Sequence, residues 1–96
     1  MALTANQFST EISNTTSTGL MLSGNLTFDA NVWKVSNDGT IPLRLTLGST
    51  SASTGGYEVQ AGETREFAVL SSKFALSTTS TSTADHRRAR VVAMGS

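Results

Sequence analysis

The stretch 83–92, "TADHRRARVV", holds the only histidine of the chain and three of its seven basic residues. A catalytic triad needs a base that is oriented by a carboxylate and touches a nucleophile. Asp85 and His86 are adjacent in sequence, so in a strand they point to opposite faces and cannot form that unit. Hydroxyls abound, so a nearby serine carries no signal. The stretch nearest to a nucleophile elbow, "GSTSASTGG" at 48–56, lacks the strand and helix that frame one. It also lacks the lysine of a phosphate-binding loop. Arg87, Arg88 and Arg90 form a basic spot, but only Arg88 and Arg90 share a strand face. No aromatic interleaves them to stack a base, and the net charge is zero, so no excess of cations is there to displace counterions from a nucleic acid. "RRAR" also fits a basic protease site, a pattern too short to carry weight. The reading adopted is a turn histidine followed by the polar face of a last strand, ion-paired to Glu58, Glu63 or Glu66.

The other chemical groups read the same way. Glu63 and Glu66 flank Arg65 around a turn, with Glu58 across it, as solvated charges rather than a glycosidase pair. Asp29, Asn37 and Asp38 stand at turns, where such side chains bond to the local backbone. The chain has no cysteine, hence neither a disulfide nor a thiolate zinc site. Asn14 and Asn25 begin glycosylation triplets, yet "MALTANQFST" has neither the basic start nor the apolar run of a signal peptide. No stretch approaches the ~20 apolar residues of a membrane span. The expectation is a soluble protein made in the cytoplasm, not an enzyme, with no catalytic residues, metal or other cofactor, no nucleic acid and no membrane as partner.

The elements that carry these residues are strands. In "IPLRLTLG", Ile41, Leu43, Leu45 and Leu47 alternate with Pro42, Arg44, Thr46 and Gly48, the pattern of a half-buried strand. Pro42 lacks an N–H and belongs at its start or on an edge. Trp33 and Val35 alternate just upstream, and Asn37-Asp38-Gly39 is a strong turn signal, which predicts a hairpin between Val32–Ser36 and Ile41–Leu47. Leu20, Leu22, Leu26 and Phe28 around Ser23-Gly24-Asn25 predict another. Tyr57 and Val59 precede a turn at Gly62; Arg65, Phe67 and Val69 follow it, with the head of Arg65 at the rim. Phe74 and Leu76 begin a further apolar face, and Val91 lies on the inward face of the last strand. These inward residues form the expected core. Fourteen serines and 15 threonines among 96 residues suit pleated surfaces as well as loops. The sum is about six or seven short strands with turn signals every ~8–12 residues, which points to an all-β antiparallel sandwich or barrel, the sandwich being the fold adopted.

Residues 1–18 carry one charge, Glu11, and few large apolar groups. They read as a partly extended N-terminal arm, with the sandwich domain at 19–96. Phe8, Thr10 and Ile12 nevertheless alternate as a strand does, which predicts pairing with a sheet edge on a neighbouring subunit. A 96-residue chain buries only about 60–65% of the surface it exposes unfolded, so an oligomer or attachment to a larger body is expected.

The run from Trp33 to Leu70 has a strand ending in Asn37-x-Gly39, the alternating strand Leu43–Leu47, a loop, and a corner at Val59, Gly62 and Glu63. It resembles small immunoglobulin-like or jelly-roll sandwiches. With the missing cysteines and the Ser/Thr richness, the chain is similar to small virion proteins of tailed bacteriophages, above all head decoration (cement) and head-fibre proteins. The resemblance covers about 40% of the chain. It implies a passive clamp on the outside of a capsid that forms trimers or other homo-oligomers and bridges copies of the major capsid protein, located in the virion. A tail or fibre component and a carbohydrate-binding adhesion module, using Trp33 and Tyr57, are the alternatives. Phe8, Thr10 and Ile12 of the arm, with Arg88 and Arg90 of the last strand, are the expected partner-binding residues.

Overall fold

The computed structural model describes residues 6–15, 19–51, 56–78 and 87–95. They form eight strands: β1 (Asn6–Thr15), β2 (Gly19–Ala30), β3 (Val32–Asn37), β4 (Leu43–Leu47), β5 (Tyr57–Val59), β6 (Thr64–Phe67), β7 (Ser71–Thr78) and β8 (Arg87–Gly95). Two antiparallel four-stranded sheets pack face to face, in the orders β1-β8-β3-β6 and β2-β7-β4-β5. The pairs β1/β8, β2/β7, β3/β6 and β4/β5 nest one inside another. This is the wrapped order of an eight-stranded jelly roll, which decides between the two sandwich types expected.

The core follows from alternation. Trp33, Val35, Leu43, Leu45, Val59, Phe74, Leu76 and Val91 are buried because each stands on the face its strand turns to the opposite sheet. Phe74 is the hub: its ring lies 5.4 Å from that of Trp33 and 5.7 Å from that of Phe8. Ala30, Ala89 and Ala93 fill the remaining gaps. Pro42 stands directly before β4, as its missing N–H requires.

Several sequence expectations are corrected. Ser23-Gly24-Asn25 is not a turn; β2 runs straight through it. Gly24 occupies an inward position opposite Phe74, where a Cβ would come within 2.8 Å of the ring carbon Cε1. The glycine makes room for the hub ring, a role known for strand glycines. Val32–Ser36 and Ile41–Leu47 are not a hairpin either, because β3 and β4 belong to different sheets. Asn37-Asp38-Gly39 begins a crossing between sheets, and the chain crosses again between β5 and β6. The second crossing is a tight turn in which Glu63 N–H donates to the Gln60 carbonyl at 3.0 Å, with Gly62 at φ 79°.

Asn37 ties the two crossings together. Its buried side-chain Nδ2 donates to the carbonyls of Ile41 and Val59, both at 2.9 Å. Its Oδ1 accepts from Gly39 N–H at 3.1 Å. Its backbone N–H donates to the Glu63 carbonyl at 2.9 Å, and its carbonyl accepts from Gly62 N–H at 2.7 Å. The residue read as a turn former is a clasp holding the ends of both sheets.

The arm is also redrawn. Residues 6–15 form β1 and pair with β8 of their own chain, and Phe8 and Ile12 pack against the core. The boundary placed at residue 18 therefore cuts off a strand of the sandwich. The apolar alternation was real, but its partner is the last strand of the same chain. Tyr57, expected inward, is 40% exposed, because three-residue β5 lies at the edge of its sheet.

Candidate partner-binding site

The five expected partner-binding residues all lie on the β1/β8 pair. Antiparallel register sets Glu11 opposite Arg90, Ile12 opposite Ala89 and Thr10 opposite Val91. Phe8, Thr10 and Ile12 are half-buried on the core-facing side, and Arg88 and Arg90 are exposed on the other. Alternation in β8 forces that division: Ala89, Val91 and Ala93 take the inside, so the arginines between and before them must face out.

Three of the five come together. Ile12, Arg88 and Arg90 line a recess of about 220 Å³ with Glu11, Asp38 and Ala89. It lies where the end of β1, the start of β8 and the β3–β4 crossing meet, and Asp38 N–H donating to the Arg88 carbonyl at 2.8 Å fixes that corner. Phe8 and Thr10 do not belong to it. The recess falls below the roughly 300–1,000 Å³ of small-molecule sites. It suits one side-chain terminus of a partner, a carboxylate or an amide, rather than a whole ligand. The Arg90 guanidinium stands 3.8 Å from the Glu11 carboxylate, with both side chains more than half exposed, so solvent screens the pair and it can open for a competing acid. The expected ion-pair partners of Arg90 were Glu58, Glu63 and Glu66; Glu11, distant in sequence and adjacent by register, takes that place.

The carboxylates near the β5–β6 turn serve the turn. Glu63 Oε1 accepts from Gln60 N–H at 3.0 Å, Glu58 accepts from the Gln60 amide, and Glu66 lies opposite Lys34. Arg65 stays at the rim as expected: it donates to the Glu58 carbonyl at 2.7 Å and lies 5.0 Å over the Phe67 ring. Among the described residues no three His, Cys, Asp or Glu side chains gather closely enough to hold a metal ion. Asp85 and His86 lie outside the described residues, as does the side chain of Arg87.

No protein-family model matches this chain, and no curated protein matches it.

The aromatic pair named for a sugar site is divided by the fold. Trp33 is fully buried, and Tyr57 stacks on Phe67 with ring centroids 4.6 Å apart, leaving Tyr57 as the exposed aromatic of the two. Sequence reasoning missed Glu11 and Asp38 as parts of the recess. Both become visible only once β1 is placed beside β8, and neither residue carries a local pattern that announces it.

Proposed function

We propose that this chain is a structural virion protein that binds the outside of a phage capsid and stabilises it as a decoration protein. The observation that carries the reading is the jelly-roll order of the strands, an architecture that viral shells and lectins use repeatedly. Fold alone does not give function; the likeness of the chain to small virion proteins supplies the direction. In this reading the outer face of β8, with Arg88 and Arg90 beside the recess, meets acidic or amide side chains of the major capsid protein. The burial of Trp33 favours this over a carbohydrate-binding module, which then has Tyr57 on Phe67 as its platform.

The test is co-sedimentation of the purified chain with phage shells assembled from a major capsid protein. Saturable binding that raises the melting temperature of the shell is the expected result, weakened by Arg88→Glu with Arg90→Glu. Binding to tails and not to shells would make the chain a tail or fibre component. Retention on a glycan array, lost with Tyr57→Ala, would make it an adhesion module.

A further inference from the structure

Each sheet of the sandwich ends in two edge strands, and an unprotected edge pairs with whatever strand it meets. Three of the four edges carry devices against this. β5 has three residues and β6 four, too short to template a ladder, and β6 adds Arg65 and Glu66. β2 is long, but its register with β7 shifts twice, between Leu20 and Leu22 and between Asn25 and Ala30. Such irregularities bend an edge away from a flat partner.

Among the described residues, β1 has no such device from Asn6 through Ile12. It ends its sheet, and its register with β8 is regular from Asn6 through Ile12, shifting only beyond that point. Its one charge in this run, Glu11, is matched by Arg90 of the same chain at 3.8 Å. Alternate residues of such a strand turn both N–H and C=O away from their one neighbour, an array that is self-complementary in antiparallel pairing.

We infer that β1 is the pairing edge for a second copy of this chain, joined antiparallel about a two-fold axis at Thr10. This axis sets Phe8 opposite Ile12 of the second copy, Ile12 opposite Phe8 of the second copy, and Thr10 opposite its own counterpart. Aromatic with β-branched, and threonine with threonine, are the favourable cross-strand pairs. Phe8, Thr10 and Ile12 are half-buried in the single chain, so a strand laid beside them completes their cover. On the outer face Glu11 meets Ser9, so no like charges face one another. The order β6-β3-β8-β1 then continues through the axis into one eight-stranded sheet. The occupant is a second copy because the segment Phe8-Ser9-Thr10-Glu11-Ile12 matches itself in this register, apolar with apolar and acid with hydroxyl. The inference stands on the edge and holds whether or not the chain belongs to a virion.

Sedimentation over a range of concentrations tests it with the full chain. Ser9 is exposed and faces Glu11 of the second copy twice by symmetry. Ser9→Glu is expected to weaken the dimer roughly tenfold and Ser9→Lys to tighten it severalfold, both effects fading in high salt. The melting temperatures of the dilute variants should stay level, since Ser9 is outside the core. The chain has no cysteine, so Thr10→Cys under mild oxidation should give one cross-linked dimer. A monomer at every concentration, or Ser9→Glu and Ser9→Lys shifting association alike, overturns the pairing.

Discussion

Replacing Asn37 by alanine removes both hydrogens of Nδ2 and the acceptor Oδ1 at once. The carbonyls of Ile41 and Val59, each held at 2.9 Å by Nδ2, lose that donor at a position only 1% exposed. A buried polar group left without its partner costs about 1–3 kcal/mol. Two such groups, with the solvent-side contact to Gly39 N–H counted as small, give about 2–6 kcal/mol. Total stability for a chain of this size is about 5–15 kcal/mol, so the loss is a large share. Urea unfolding followed by the fluorescence of Trp33, the only tryptophan, reads it directly. The sharper variant is Asn37→Asp. As a turn former, aspartate is as good as asparagine, so a turn role predicts no loss. As a clasp it fails, because a carboxylate has no hydrogen to offer two carbonyls and is itself buried. Burial and the facing carbonyl oxygens raise the folded-state pKa of that carboxyl above its unfolded value. The folded state then holds its proton where the unfolded chain has lost it, so stability falls as pH rises through that window and is partly restored in acid. If Asn37→Asp unfolds within about 0.5 kcal/mol of the parent at neutral pH, a band expected of an uninvolved surface change, the clasp is refuted.

Gly24→Ala should cost about 1–3 kcal/mol by forcing the Phe74 ring from its place; in a Phe74→Leu background the same change should cost less, and additive losses in that double-mutant cycle would show that the ring does not set the need for glycine. Deleting residues 2–14 should abolish cooperative melting rather than merely weaken attachment, because it takes Phe8 from the core and strips β8 of a neighbour. Circular dichroism showing an intact sandwich after that deletion would return β1 to the status of an arm.

Alternation carried most of what could be read before the structure. Leu43–Leu47, Trp33 with Val35, and Phe74 with Leu76 declared strands and named their buried faces, since the period of two is a local property. Everything that depended on which strand meets which was invisible. Gly24 looks the same in a turn and beneath an aromatic ring. Asn37-Asp38-Gly39 reverses a hairpin and opens a crossing with equal ease, and only the placement of Val59 and Glu63 nearby distinguishes them. The arm was misplaced for the same reason: Phe8 and Ile12 advertised a partner, but β8 is the strand farthest from them along the chain. Of the recess, Ile12, Arg88 and Arg90 were nameable by residue type. Glu11 and Asp38 join them through register and a chain crossing, for which single residues give no sign.

The nesting of strand pairs has a consequence for how the molecule is made. β4 and β5 are neighbours along the chain and can pair as they emerge. β3 must hold until β6 appears, β2 until β7, and β1 until β8. Each ladder closes a longer loop than the one inside it, at a rising entropic cost. Of the eight strands, the first to be made is thus the last to be satisfied, and β8, which sits between β1 and β3, completes two ladders in a single step. Phe8 and Ile12 therefore wait for the strand beside them until β8 is made, and the sandwich is whole only after that strand arrives.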